Sequence, residues 1–319
     1  MKKYLALMLT LCVFAISGCA SEEQASDKIK IVTTIFPMYD WAKAIVGDED
    51  DYEIVFLTDD GVDLHSYTPT VPDMMMINEC DLFIFVGGTS DSWVEYTLAN
   101  VTNENQVRLN LVDMIGDGIL EKEIKNGMQI VEDECCDGDY DEHLWLSVKN
   151  AQLFTEEIKN AICELDTANA ERYEENTLKY LSELEKIDTE FHEQILQTEE
   201  KTVVFGDRFP FLYLFKDYDI DYYAAFSSCT AETEASFQTI AYLVEKMNEL
   251  ELSNIFYVEG GMINIAQTII DNTENKQQEI LCMNSMEGVS MADVVAGESY
   301  LSIAKANLDA LQIALKDIS

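Results

Sequence analysis

The stretch Ala168–Glu199, ANAERYEENTLKYLSELEKIDTEFHEQILQTE, decides how the chain is organised. It contains neither Gly nor Pro, and Tyr173, Leu178, Leu181, Leu184, Ile187, Phe191 and Ile195 recur mostly at three- and four-residue intervals. That spacing puts the apolar side chains on one face of a single amphipathic helix. At 1.5 Å per residue the helix covers roughly 45 Å, more than a crossover inside one sheet needs. Residues 167–200 are therefore expected to be a stiff helix joining two units.

The sequence on either side has the same texture. Before the helix, Ile29–Thr33, Tyr52–Leu57, Leu82–Val86 and Val107–Val112 are β-branched and aromatic runs of strand length. Helices are expected between them at Phe36–Val46, Pro72–Glu79 and Trp93–Leu98. After it, Thr202–Phe205, Ile220–Ala224, Asn254–Val258 and Glu279–Cys282 read as strands. Helices are expected there near Phe211 and over Ser236–Leu250, Met262–Ile270 and Leu301–Leu315. Alternating strands and helices imply mostly parallel sheets. The expected fold is α/β: two lobes, 29–166 and 201–319, each a mostly parallel sheet flanked by helices, joined by the long rigid helix. Ligands in such folds sit beyond the carboxyl ends of strands, so the cleft between facing lobes is the expected site.

The amino terminus reads as an export signal: Lys2 and Lys3, an apolar run from Leu5 to Ile16, then Ser17-Gly18-Cys19. The run is too short to span a bilayer as a mature helix. Its close resembles the lipobox of bacterial lipoproteins, and that resemblance implies removal of residues 1–18, acylation of Cys19 and a flexible tether over 19–28. The mature chain is then expected to be extracytoplasmic, anchored by lipid to the outer face of a bacterial cell membrane.

With 20 Lys+Arg against 61 Asp+Glu the formal net charge is −41, and about −43 once Lys2 and Lys3 leave. Nucleic acid and anionic ligands are poor partners for such a surface. Six cysteines remain after Cys12 and Cys19 are set aside: Cys80, Cys135, Cys136, Cys163, Cys229 and Cys282. No CxxC zinc pattern occurs, and pairing is not deducible from spacing, although Cys229 and Cys282 share one half. No G-x-x-x-x-G-K-[ST], HExxH or G-x-S-x-G is present, so neither an ATPase nor those hydrolase classes is indicated.

The chain has three histidines. His65 follows a turn-rich loop, Thr58-Asp59-Asp60-Gly61-Val62-Asp63-Leu64-His65, directly after an expected strand. His143 stands in Asp141-Glu142-His143-Leu144-Trp145-Leu146-Ser147, where a loop meets an apolar segment. His192 sits between Glu190 and Glu193 on the long helix and reads as solvated surface. Two imidazoles from one lobe begin a zinc or manganese site that needs N or O donors from the other lobe to close.

Three phrases, Ile31-Val32-Thr33-Thr34-Ile35-Phe36-Pro37, Asp63-Leu64-His65-Ser66-Tyr67-Thr68-Pro69-Thr70 and Asp141-Glu142-His143-Leu144-Trp145-Leu146-Ser147-Val148-Lys149-Asn150-Ala151, resemble those of the zinc- and manganese-binding lipoproteins of metal ABC importers. The resemblance runs over essentially the whole mature chain. It implies a receptor that captures a divalent transition metal, Zn2+ or Mn2+ with Fe2+ as a further option, and passes it to an importer permease and its ATPase. The protein would act as a monomer and not as an enzyme. It also implies His65 and His143 as the first two ligands. The third position, where the resemblance implies His or Glu, falls in Val204-Phe205-Gly206-Asp207-Arg208-Phe209-Pro210-Phe211, in which the histidine is absent and Asp207 is the nearest donor. An alternative there is that Asp207 only pairs with Arg208. The fourth falls in Cys282-Met283-Asn284-Ser285-Met286-Glu287-Gly288, where Glu287 stands for the family's aspartate.

Glu232 and Glu234 read as residues at a helix start, and Glu259 is a reserve donor. Two imidazoles with two carboxylates would tilt the site toward manganese, whereas a structural Asp207 or Glu287 would return it to zinc. The acidic loop 132–142, which includes Cys135 and Cys136, either gathers metal loosely for transfer to His143 or is a solvated, disordered loop closed by a vicinal or longer-range disulfide. Because relatives of this family include adhesins, a surface adhesion lipoprotein is the rival expectation.

Overall fold

The computed structural model describes residues 28–47, 51–129, 140–196, 198, 201–228 and 234–316. The signal segment 1–18, Cys19, nearly all of the tether, residues 132–139 of the acidic loop with Cys135 and Cys136, and Cys229 and Glu232 lie outside the described residues. Among the described residues, no helix is long and apolar enough to cross a membrane, and Cys80, Cys163 and Cys282 are free thiols.

Among the described residues, eight strands form two four-stranded sheets. The first contains β1 (Ile29–Thr33), β2 (Tyr52–Phe56), β3 (Leu82–Phe85) and β4 (Val107–Asn110), in the order β2-β1-β3-β4. The second contains β5 (Thr202–Phe205), β6 (Asp221–Ala224), β7 (Asn254–Val258) and β8 (Glu279–Met283), in the order β6-β5-β7-β8. Every pairing is parallel, and both sheets repeat one topology. Loops that leave the strand ends at β1/β3 and at β5/β7, where the order reverses, are those that parallel sheets offer to ligands.

Local chemistry explains the helix ends. Helix Phe36–Val46 carries Pro37 in its first turn and ends at Gly47, whose φ of 76° glycine accepts at little cost. Helix Val71–Glu79 starts one residue before Pro72, with Thr70 and Asp73 forming a capping box. The helix Val148–Leu165 was not anticipated, yet its signals are present. Ser147 accepts from the Asn150 N–H, and Val148, Ala151, Phe154, Thr155, Ile158, Ala161 and Ile162 form one buried stripe.

The connecting helix spans Ala170–Leu196. Its inner face is Tyr173, Thr177, Tyr180, Leu184, Ile187, Phe191 and Ile195, all buried. Leu178, assigned to that face from the sequence, is 67 % exposed, with Thr177 holding the inner position. The helix packs on Phe36–Val46 and Val148–Leu165 of the first lobe and on Tyr300–Lys316 of the second. One continuous apolar core therefore runs from Ile31 to Leu315 through both lobes.

Tyr300 pins the two lobes beneath the cleft. Its N–H reaches Asp40 at 3.2 Å, its hydroxyl donates to the Trp145 carbonyl at 2.8 Å, and its ring lies 5.2 Å from that of Trp41. Trp145 Nε1 donates to the Ser285 carbonyl at 2.8 Å. A largely apolar interface of this kind resists rigid-body separation of the lobes.

Candidate metal centre

His65 and His143 are placed by the same local device. In Asp63-Leu64-His65 the Asp63 carboxylate accepts from the His65 N–H at 2.9 Å. In Asp141-Glu142-His143 the Asp141 carboxylate accepts from the His143 N–H, also at 2.9 Å. Asp63 caps the 3-10 turn Leu64–Ser66 that contains His65, whereas His143 itself precedes the 3-10 turn Leu144–Leu146; in both, the bond from the aspartate two residues back fixes where the imidazole leaves the backbone. The outward-facing ring nitrogens are then secured. Asp141 Oδ1 lies 3.0 Å from His143 Nδ1, and Ser90 Oγ lies 2.6 Å from His65 Nδ1. With Nδ1–H donating to Asp141, the His143 Nε2 lone pair is left for a ligand, the usual arrangement behind a metal-binding imidazole. Glu142 in turn accepts from the Thr89 and Ser90 N–H groups and so holds Ser90 in place.

Glu287 enters from the second lobe, on the loop after β8. Met286 before it holds a left-handed φ of 64°, a conformation that costs a non-glycine residue about 1 kcal/mol or more. Ser285 Oγ and Arg208 donate to Glu287 Oε2 at 2.9 and 3.4 Å. Oε1 is buried and has no hydrogen-bond partner. It faces His65 Nε2 at 3.2 Å and His143 Nε2 at 3.3 Å, and the two Nε2 atoms are themselves 3.3 Å apart. The three side chains are 5 %, 0 % and 1 % exposed.

That triangle is a test of fit. Donors about 2.0 Å from a tetrahedral ion are ~3.3 Å apart, the separation found on all three edges. Two imidazole nitrogens and a carboxylate oxygen with no hydrogen bond meet at one point. Burial would depress the His143 imidazolium, but the carboxylates of Asp141 and Glu287 outweigh it and hold that pKa well above the usual imidazole range. Burial likewise pushes Glu287 up, and the opposing charges of His143 and Arg208 overcome it, leaving the carboxyl well below its usual range. An ion entering the triangle must displace the His143 proton.

Asp207 is not brought to this point. Its Oδ1 accepts from the Arg208 N–H at 2.8 Å, and its Oδ2 accepts from the Val258 and Met262 N–H groups at 3.0 and 3.2 Å. A Cβ at Gly261 would fall 2.1 Å from Oδ2, so glycine is needed for the turn to close on the carboxylate. Asp207 therefore ties the end of β5 to the turn after β7, and the assignment of a ligand role to it is corrected on that ground. Burial raises its pKa, with the three N–H groups and Arg208 opposing. The paired reading of Asp207 and Arg208 is revised too, because the Arg208 guanidinium goes to Asp63 at 2.9 Å and to Glu287 at 3.4 Å.

Among the described residues, His65, His143 and Glu287 form the one such group of His, Cys, Asp and Glu donors. Glu234 and Glu259 are exposed and outside it, and His192 is exposed on the connecting helix. Sequence reasoning missed Ser90 and the double use of Asp141, although Asp-x-His occurring twice was a visible signal.

The profile of the family described as zinc-uptake complex component A, periplasmic, matches residues 31–314. The chain belongs to that family. Among curated relatives, the zinc-binding lipoprotein AdcA of Streptococcus pneumoniae is 27 % identical over 98 % of this chain and 61 % of its own length. This chain thus spans less than two thirds of that relative. The high-affinity zinc uptake system protein ZnuA of Bacillus subtilis is 27 % identical over 98 % of both chains.

Solved structures agree on the fold of the zinc-uptake family. The Zn(II)-bound ZnuA-like domain of S. pneumoniae AdcA superposes with a TM-score of 0.71 at 25 % identity, covering 90 % of this chain and 99 % of that one. The metal-dependent lipoprotein YcdH of B. subtilis gives 0.73 at 26 %, covering 90 % and 100 %.

Proposed function

We propose that this protein is an extracytoplasmic receptor that captures a divalent transition metal, zinc first, and delivers it to an ABC permease. The observation that carries the reading is the convergence of His65 Nε2, His143 Nε2 and Glu287 Oε1 with edges of 3.2–3.3 Å. Two imidazoles and one carboxylate at tetrahedral spacing suit zinc better than manganese, which favours more oxygen ligands in an octahedron. The zinc named for relatives on both the AdcA and ZnuA sides supports the same ion. The receptor role, as opposed to catalysis, is supported by family membership and not by a filled coordination shell.

In this reading residues 29–166 and 201–319 are the two lobes, 167–200 the connection, and Cys19 the lipid attachment that keeps the receptor near its permease and ATPase. The continuous core under the cleft favours release by small tilts and loop shifts over wide opening. Elemental analysis after zinc loading tests the site. Wild-type and His192→Ala proteins should carry one ion per chain, and His65→Ala and His143→Ala should lose affinity by about a hundred-fold or more, beyond the effect of removing a supporting residue. Equal zinc affinity in all four proteins would sink the assignment.

A further inference from the structure

The position where a second-lobe ligand was expected holds a cation. Arg208 follows β5, is 7 % exposed, and places NH2 against Glu287 Oε2 and NH1 against Asp63 Oδ2. Its Nε is buried with no hydrogen-bond partner. A guanidinium has only donors and cannot ligate a metal. Its neighbour Asp207 is committed to three backbone N–H groups and cannot turn inward without stranding them. Three protein donors thus meet at tetrahedral spacing, with no fourth such donor among the described residues. Beside them stands a buried hydrogen-bond donor, Arg208, which holds the other oxygen of Glu287, Oε2.

We propose that the fourth coordination position is taken by a small exogenous anion, exchangeable with water, which Arg208 holds by hydrogen bonding. The proposal rests on the metal-receptor reading and deepens it by naming the class of ligand that accompanies the ion. The chemistry favours this over a bare ion. An anion bound to the metal accepts a hydrogen bond from a charged, planar donor more strongly than water does. A buried guanidinium with one N–H unpaired is costly until an acceptor arrives. Arg208 is also a bridge, since it joins Asp63, which sets the His65 turn, to Glu287 from the other lobe. An anion seated there would be sensed by both lobes at once.

Cobalt(II) is the probe for the test, because its visible bands report coordination directly, and azide is the anion. The protein is loaded with Co(II) in a non-coordinating buffer and titrated with azide, for wild type, Arg208→Gln and Arg208→Lys. Wild type should show saturable band shifts, and Arg208→Gln should bind azide about ten-fold more weakly or worse, the loss expected for one charge-assisted hydrogen bond. Arg208→Lys, which keeps the charge and loses the fork, should fall between.

Azide-insensitive bands in wild type would overturn the proposal by showing a shell completed by protein. Equal azide affinity in wild type and Arg208→Gln would overturn it by removing Arg208 from the anion site. Failure of wild type to bind Co(II) or zinc at all would instead overturn the metal-receptor reading, so the two failures are distinguishable.

Discussion

Asp207 and Glu287 make the most instructive comparison in the molecule. Both are buried carboxylates just beyond strands of the second sheet, and both stood where a ligand was expected. Every oxygen of Asp207 is occupied by backbone N–H groups. Glu287 spends one oxygen on Ser285 and Arg208 and keeps the other without a hydrogen bond, facing two imidazoles. A protein interior rarely leaves such an atom without a hydrogen bond, and this one faces the two imidazoles of the proposed site. Position in the fold brought both residues to the cleft, and hydrogen-bond accounting separates their roles.

Paired substitutions test that separation. Glu287→Gln should cut zinc affinity by about a hundred-fold or more, because an anionic donor is lost, while leaving thermal stability near wild type. Asp207→Ala should do the reverse. Three N–H groups lose their acceptor, which predicts about 3–4 kcal/mol of destabilisation in denaturant titration, with one zinc still bound by the folded fraction. If Asp207→Ala abolishes zinc binding in folded protein while Glu287→Gln retains it, the two roles are interchanged.

Much of this is legible in the amino-acid sequence. The βα alternation gave both parallel sheets nearly to the residue, because β-branched runs between helix caps leave few options. The two His phrases brought His65 and His143 to one site for a local reason, the Asp-x-His turn. Glu287 was legible only by resemblance, since nothing in Asn284-Ser285-Met286-Glu287 announces a residue held after a left-handed Met286. Asp207 was misjudged because its three partners come from Arg208 beside it and from Val258 and Met262, about fifty residues on. Long-range backbone satisfaction has no local signature. Leu178 failed for a smaller reason of the same kind, a one-residue rotation of the helix face settled by what packs on it.

Another carboxylate, the partly buried Asp40, sharpens the contrast because it stands away from the triangle. It accepts from Tyr180 and from the Tyr300 N–H beneath the cleft, and burial pushes its pKa up to about 6, against those two hydrogen bonds. The folded state therefore holds a proton between about pH 4 and 6 that the unfolded chain has released, so stability falls as pH rises through that window. The linked change is about 2–3 kcal/mol. Asp40→Asn should flatten the pH dependence of stability across it. An unchanged slope in that variant would assign the proton elsewhere.

The smallest effects should come from the groups behind the imidazoles, and they too differ in a way that can be measured. Asp141 is charged and binds both the N–H and Nδ1 of His143, whereas Ser90 gives His65 one neutral contact. Asp141→Asn should weaken zinc by about ten-fold and Ser90→Ala by only a few-fold, since charged supports orient and polarise a ligand more strongly. Competition against a zinc chelator reads both. Were Ser90→Ala the more damaging, the larger share of orientation would belong to His65. The Ser90 loop, clamped by Glu142 through the Thr89 and Ser90 N–H groups, would then rank above the Asp141 turn as the element that sets the site.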